Sequence, residues 1–270
     1  MGRASLKLIT LLVAMVVPAV ALAFDTRATK ADVVVLGEVH DNPHHHLAQA
    51  EWIGAIAPAA VVFEMLGEEQ AEQVNAGWDD LDALGVRLEW DASGWPSFDI
   101  YAPIFEAARG VPVFGAAIPR DAARAAMQNG IIETFGPDDA RFGLDQALPK
   151  TDQATREAFQ QAAHCNALPD HLLPMMVDIQ RLRDAELARA TLAALEAEGG
   201  PIVVITGNGH ARTDWGLPVY LTAAAPTVRV FSLGQSEDGR APDGVFDLVI
   251  DAPGVDRDDP CAVFARPKGG

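Results

Sequence analysis

Cysteine and basic residues are scarce in this chain of 270 residues, and each shortage excludes a class of function. Two cysteines cannot build a cysteine-ligated metal site, which needs more thiolates at close spacing. Lysine and arginine number 20 against 38 acidic residues, so the formal net charge is −18. That charge argues against binding nucleic acid, whose phosphates attract basic surfaces, and against an anionic membrane face. It permits cation binding without being evidence for it.

Long apolar runs are absent beyond the N-terminus. Residues 8–20 are almost entirely apolar, follow a positively charged start and precede a small-residue cleavage pattern at 21–23. This is typical of a secretory signal peptide over residues 1–23, with a mature domain over 24–270. A retained anchor is disfavoured because a spanning helix needs roughly 20 apolar residues. We therefore expect a periplasmic protein without stable membrane insertion after signal cleavage.

The two cysteines, Cys165 and Cys261, are expected to pair in that oxidising compartment. Two separate buried thiols are the alternative.

Short β-branched runs alternate with helical patterns along most of the chain. The runs at 33–36, 60–63 and 202–206 are continuous and apolar, as in parallel strands that are buried on both faces. The alternation predicts an α/β fold, a largely parallel sheet with helices on both faces. Residues 121–198 show helical spacing without a strand pattern, which predicts a helical insertion between strands. Further strands are predicted at 111–114, 227–233 and 245–250.

The first predicted helix begins at Asn42 and Pro43, which suit an N-cap and the first helical position. Its predicted buried face comprises Leu47, Ala50, Gly54 and Ala57. Three consecutive histidines, residues 44–46, open this helix. Successive helical side chains point about 100° apart, so they cannot chelate one ion together. We expect a solvated first turn, with one histidine able to face a site.

Polar side chains follow three of the predicted strands. Glu38 and His40 come after the first strand, Glu64 after the second and His210 after the strand at 202–206. Ligands of open α/β sheets bind beyond the carboxyl ends of the strands, so these four are predicted to share one site. Two histidines with two carboxylates suit a metal, a haem or acid/base chemistry. A helix-capping Glu38 and an arginine-paired Glu64 are the structural alternatives.

The turn before His210 contains Gly207 and Gly209 but is not a dinucleotide fingerprint, because Arg212 stands where a third glycine is required. We expect these glycines to let the backbone turn sharply. Tyr101 is a further candidate iron ligand, with helix packing as its alternative. Arg120, just after a strand, is a candidate for binding a carboxylate.

A series of motifs resembles the ChaN-like family of haem-binding uptake proteins, which belongs to the Tiki superfamily. The resemblance extends in order over nearly the whole predicted mature chain. The segments that carry it are 36–43 (LGEVHDNP), 63–66 (FEML), 93–96 (SGWP), 101–106 (YAPIFE), 164–165 (HC), 180–185 (QRLRDA), 207–210 (GNGH) and 259–261 (DPC).

The resemblance implies an exported haem- or iron-binding protein that takes part in haem or iron uptake. By motif match, the shared superfamily site maps onto Glu38, His40, Glu64 and His210. Haem is then the expected cofactor and ligand, with His40, His210 or Tyr101 on the iron side and Arg120 near a propionate. The cavity is expected over the carboxyl edge of the sheet and under the insertion, with a basic lining that offsets the acidic surface. A homodimer is also possible.

Two alternatives belong to other classes. The superfamily also includes metal-dependent proteases, and erythromycin-esterase-like hydrolases look similar at the same strand ends. In a metal-dependent hydrolase, Glu38, His40, Glu64 and His210 would hold a divalent ion and its activated water. In a binding or scaffolding domain, the same residues would carry no chemistry. The chain lacks the lipidation cysteine of lipoprotein relatives, which puts a surface-anchored role in doubt.

Overall fold

The structure is a computed structural model that describes residues 25–263, so the predicted signal peptide at 1–23 lies outside the described residues. Its centre is a six-stranded sheet in which every pair of neighbouring strands is parallel, in the order β3-β2-β4-β1-β5-β6. The strands are β1 Val33–Leu36, β2 Ala60–Phe63, β3 Val113–Gly115, β4 Ile202–Ile205, β5 Val230–Glu237 and β6 Leu248–Ala252. The predicted α/β fold is confirmed.

Helices cover both faces of this sheet. They are α1 Pro43–Ile56, α2 Glu68–Asn75, α3 Leu81–Arg87, α4 Trp90–Ser93, α5 Phe98–Ala107, α6 Arg120–Asn129, α7 Ile131–Phe135, α8 Lys150–Ala163, α9 Leu173–Glu198, α10 Asn208–Ala211 and α11 Leu217–Ala224. No helix in the described range 25–263 is long and apolar enough to span a membrane.

Strand β1 shows why these runs are continuously apolar. Val34 and Leu36 pack into one core with α1 and α5, while Val33 and Val35 pack into a second core with α9 and α11. Successive side chains of a strand point to opposite faces, so a strand buried on both sides needs an apolar residue at every position. A short continuous apolar run is therefore enough to predict a strand of this kind from the sequence.

Residues 121–198 contain helices α6 to α9 and no strand, which confirms the predicted insertion. Its longest helix, α9, packs against the sheet and against α8 and α11. Two predicted strands are displaced along the chain. Strand β5 begins at Val230 rather than residue 227 and continues to Glu237, and β6 begins at Leu248 rather than residue 245.

The predicted buried face of α1 is wrong. Asn42 caps the helix as predicted, but Leu47 is 50% exposed and the buried residues are His45, His46, Gln49, Trp52 and Ile53. The expectation of a solvated first turn holds for His44, which is exposed, and is wrong for His45 and His46, which are buried. Backbone groups of other segments satisfy these polar side chains: Val39 N donates to His45 Nδ1 at 2.9 Å, and Gln49 donates to Leu36 O. Paired polar groups can be buried at little cost, and apolar periodicity alone does not predict which are paired.

Cys165 and Cys261 form a disulfide, as predicted. It joins the loop after α8 to the C-terminal tail, 96 positions further along the chain. A second link holds this tail: Arg257 donates to both carboxylate oxygens of Glu237 and of Asp41. The C-terminal tail is therefore bound next to Asp41, in the segment that follows β1.

The Arg257 link should make stability depend on acid pH. Hydrogen bonds from Arg257 lower the pKa of Glu237 to about 2, well below its unfolded value of about 4.3. A depressed carboxyl pKa stabilises the fold above the unfolded pKa, and this stabilisation is lost as pH falls through the folded value. We expect Arg257→Gln to lower the unfolding free energy at pH 6 by at most roughly 3 kcal/mol, because the pKa of Glu237 falls from about 4.3 to about 2 on folding.

Urea unfolding at several pH values checks this. The difference between the wild type and Arg257→Gln should shrink as pH falls from about 4.5 towards 2. Arg240→Gln is the matched control, because its side chain is 75% exposed and lies 3.9 Å from Asp238. A pH-independent difference would contradict the assignment to Glu237.

Candidate functional site

The four predicted residues lie together at the carboxyl edge of the sheet. Glu38 and His40 follow β1, Glu64 follows β2, and His210 lies in the short helix α10 after β4. The backbone N–H of Asn208 donates to Glu38 O at 2.8 Å, which joins the first motif to the last. Because β4 pairs with both β1 and β2, parallel pairing brings these strand ends side by side.

Glu38 is the centre of a buried pair with His40. Its Oε1 accepts from His40 Nδ1 at 2.7 Å and from the Tyr101 hydroxyl at 2.9 Å, and His46 Nε2 lies 3.4 Å from Oε2. Burial by itself would raise the pKa of Glu38, but the hydrogen bond from His40 and the close approach of His46 lower it to about 2. Burial would lower the pKa of His40, but its bond to Glu38 together with the charges of the nearby carboxylates raises it to about 9. The pair is therefore ionic near neutral pH.

The same hydrogen bond orients the His40 ring. Nδ1 is turned inward to Glu38, and within residues 25–263 no hydrogen bond joins Nε2 to another group. The side chain keeps 32% of its surface exposed, whereas that of His210 keeps 7%. A carboxylate that holds one ring nitrogen is the usual support of a metal-binding histidine. His40 is thus the histidine that is available to a ligand.

His210 lies between two carboxylates. Its Nδ1 is 2.6 Å from Asp184 Oδ1, and its Nε2 is 3.4 Å from Glu64 Oε1. Burial raises the pKa of Asp184 to about 6, although His210 opposes this shift. Glu64 Oε2 accepts hydrogen bonds from Thr206 Oγ1 at 2.6 Å and from the Gly207 N–H at 2.8 Å. Glu64 is therefore satisfied by donors after β4 rather than by an arginine.

A cavity of about 900 Å³ opens between this edge and helices α8 and α9. It contains Glu38, His40 and His210, and it lies under the insertion as predicted. Its apolar lining is Val39, Phe159, Ala163, Val177, Trp215 and Pro260. Its other polar residues include Arg156, Gln160, Gln180, Asp184, Asn208 and Arg212. The mixture of aromatic walls and a few convergent polar groups is typical of a small-molecule site.

Two candidate residues lie away from this cavity. Tyr101 is fully buried behind Glu38, and burial with the nearby Glu38 charge raises its pKa, so its hydroxyl stays protonated. Arg120 lines a separate pocket of about 350 Å³ on the far side of Glu64 and donates to Ser93 O at 2.9 Å. The structure therefore does not bring Tyr101 or Arg120 to the wall that His40 faces.

Sequence reasoning missed Asp184 and Arg156 as site residues, and it did not say which of the histidines at 44–46 faces the site. The structure places His46 there, with its Nε2 3.4 Å from Glu38 Oε2. Asp184 had a detectable signal, because it lies one helical turn before the buried Ala188 in α9. An acidic residue at such a position indicates a buried polar partner, which here is His210.

The divalent-metal alternative finds no support in this geometry. Within residues 25–263, no group of three or more His, Cys, Asp or Glu side chains is placed to hold a metal ion. The four motif residues are instead engaged in pairs, Glu38 with His40 and Glu64 with His210.

Two of the motif glycines, Gly37 and Gly207, are needed for close approach rather than for an unusual turn. The backbone at Gly207 has φ −64° and ψ 152°, values that any residue adopts. A Cβ added there would lie 2.8 Å from His40 Nε2, so glycine lets the imidazole pack on the backbone. The expectation of a glycine-dependent turn is wrong for Gly207. At Gly37, an added Cβ would lie 2.5 Å from Asn208 Oδ1 and 2.9 Å from Leu233 O.

Two glycine substitutions should have opposite effects on stability. We expect Gly37→Ala to lower the unfolding free energy by about 1–3 kcal/mol, because the new methyl group overlaps a backbone oxygen. Gly54→Ala, in the exposed part of α1 with no atom within 4 Å of the added Cβ, should raise it by up to about 1 kcal/mol. Urea unfolding of both variants checks the pair. An unchanged unfolding free energy in Gly37→Ala would show that the two motif loops are less closely packed than the structure indicates.

A parallel α/β sheet with a ligand-sized cavity at its carboxyl edge defines a binding domain in which strand-end residues form the site. The family model for haem-binding uptake proteins, Tiki superfamily, ChaN, matches residues 25–221. The chain belongs to this haem-binding uptake family, which confirms the resemblance drawn from its motifs.

One of the similar solved structures shows the same fold. A structure of cofacial haem binding to ChaN of Campylobacter jejuni is 16% identical, with a TM-score of 0.59, and the match covers 82% of this chain and 87% of that one. The type III effector HopBA1 is also 16% identical, with a TM-score of 0.43, and covers 84% of this chain and 89% of its own. No curated protein sequence matches the chain.

Proposed function

We propose that this chain binds haem in the cavity at the carboxyl edge of its sheet and serves in haem or iron uptake. The observation that carries the proposal is the His40 ring, which Glu38 holds through Nδ1 and which lines a cavity with aromatic walls, while Nε2 makes no hydrogen bond within residues 25–263. Membership of the haem-binding uptake family supports it, as does the haem bound by the ChaN of similar fold.

The residues present fit a haem. Histidine is a common axial ligand of haem iron. The apolar walls formed by Phe159, Val177 and Trp215 suit the faces of a porphyrin, and a cavity of about 900 Å³ lies near the upper end of the usual range for small-molecule sites. Iron would have to displace the Nε2 proton of His40, as metals do when they bind imidazole. His210 is less accessible, because both of its ring nitrogens face carboxylates.

Export to the periplasm is part of this proposal and rests on the signal sequence. The Cys165–Cys261 disulfide agrees with it, since structural disulfides persist in oxidising compartments. Expression of the full chain, followed by fractionation and N-terminal sequencing, should find a mature protein outside the cytoplasm that begins near residue 24. A cytoplasmic, uncleaved chain would contradict export and would leave the haem-binding proposal unaffected.

The central experiment is a haem titration of natively purified protein, followed in the Soret region together with metal analysis. We expect a saturable Soret shift at a fixed stoichiometry. Absence of a saturable shift would overturn the proposal. A stoichiometric divalent ion in protein that does not bind haem would instead favour the metal-dependent hydrolase.

A further inference from the structure

Arg156 is a buried cation without an ion-pair partner. It lies on α8, is 9% exposed and lines the cavity. Within residues 25–263, no carboxylate forms a salt bridge or hydrogen bond with its guanidinium, and its buried Nε has no hydrogen-bond partner. Burying an unpaired charge is costly, so such a residue calls for an anion that the protein itself does not supply.

A second arginine of the cavity, Arg212, differs from Arg156 because it has an acidic partner. Arg212 also lines the cavity, but its guanidinium binds both oxygens of Asp214, at 2.7 and 2.6 Å. Both arginines lie over the ring of Trp215, with distances to the ring centroid of 5.0 Å for Arg156 and 3.7 Å for Arg212. One cation beside this aromatic surface is thus neutralised and the other is not.

Asp184 does not neutralise Arg156. It is close enough for the Arg156 charge to lower its pKa, but its Oδ1 is already bound to His210 at 2.6 Å. No contact within ion-pair distance joins Asp184 to Arg156 in the described part of the chain, and no other acidic residue makes one.

We propose that Arg156 binds a carboxylate of the ligand, so that the cavity selects planar tetrapyrroles that carry free carboxylates. This inference rests on the proposed haem-binding function and adds the recognition of one chemical group. The N–H groups of a guanidinium form a planar fork that matches the two oxygens of a carboxylate. Trp215 and Phe159 beside it provide the aromatic surface for the apolar body of the same ligand.

This assignment also resolves the conflict between an anionic ligand and a chain of net charge −18. The cation required is local and buried, where it is screened less by salt than an exposed one. Arg120, which was predicted for this role, is exposed and lies in the separate pocket beyond Glu64.

The test compares haem with haem dimethyl ester, in which both propionates are neutral. The wild type should bind haem about 10- to 100-fold more tightly than the ester, the range expected for a hydrogen bond between charged groups. Arg156→Gln should bind haem more weakly by a similar factor and should bind the two compounds equally. Arg156→Lys, which keeps the charge but not the fork, should keep part of the preference.

Arg120→Gln is the matched control and should keep the full preference for haem. The ratio of the two affinities within one variant does not depend on the fraction of protein that is folded, so a partly unfolded variant remains informative. Equal binding of haem and ester by the wild type, or a preference lost only in Arg120→Gln, would overturn the role of Arg156 while leaving haem binding intact. Failure of the wild type to bind haem at all would instead overturn the proposed function.

Discussion

Replacing His40 with alanine should lower the affinity for haem by about 100-fold or more and shift the Soret band of any complex that remains. Loss of a residue that only supports a metal ligand typically costs about 10- to 100-fold in affinity, so loss of the ligand itself should cost at least the upper value. By the same argument, Glu38→Gln should cost about 10- to 100-fold, because Glu38 holds the Nδ1 of His40 at 2.7 Å.

The comparison needs four further variants, each titrated with haem and followed by absorption. Tyr101→Phe and Glu64→Ala should have smaller effects, because the Tyr101 hydroxyl is buried behind Glu38 and a carboxylate is not an expected axial ligand. His210→Ala, compared with His40→Ala, shows which of the two histidines contributes more to haem affinity. His171→Ala, at an exposed histidine outside the cavity, is the matched control. Unchanged affinity in His40→Ala would rule out His40 on the iron side, and a larger loss in Tyr101→Phe would assign that position to tyrosine.

Breaking the disulfide should produce the largest change in stability. The bond between Cys165 and Cys261 spans 96 positions, and loop-closure entropy for a loop of that length is worth about 4–5 kcal/mol. We therefore expect Cys165→Ser to lower the unfolding free energy by about that amount in urea titrations. Thiol labelling of the denatured, non-reduced wild type should find neither cysteine free.

The double variant and the reduced wild type provide the controls. Cys261→Ser and the double variant should lose no more than Cys165→Ser does, because either single change removes the same bond. Wild type unfolded under reducing conditions should show the same loss. A much smaller loss in all of these would indicate that the unfolded chain is already compact without the bond.

The tail that this bond holds also forms part of the cavity wall. Pro260 lines the cavity next to Cys261, and Ala163 lines it near Cys165. The insertion and the tail therefore approach each other across the site, and the covalent bond fastens them there.

The sequence by itself determined the sheet and the position of its site. Strands β1, β2 and β4 are continuous apolar runs, and because each is buried on both faces, four local residues are sufficient to identify it. Parallel topology then brings the residues after these strands to one edge, so the grouping of Glu38, His40, Glu64 and His210 followed from chain order alone. The Asn42 cap and the helical insertion were equally local signals.

Only the tertiary structure decided which polar residues are buried and with whom they pair. His46 and Asp184 are buried because Glu38 and His210, from distant segments, are there to meet them. Arg156 and Arg120 are the same residue type, yet Arg156 lines the cavity and Arg120 lies in the separate pocket beyond Glu64. The physical reason is that an apolar side chain can be buried against any apolar surface, whereas burial of a polar one depends on a specific partner that the local sequence does not contain.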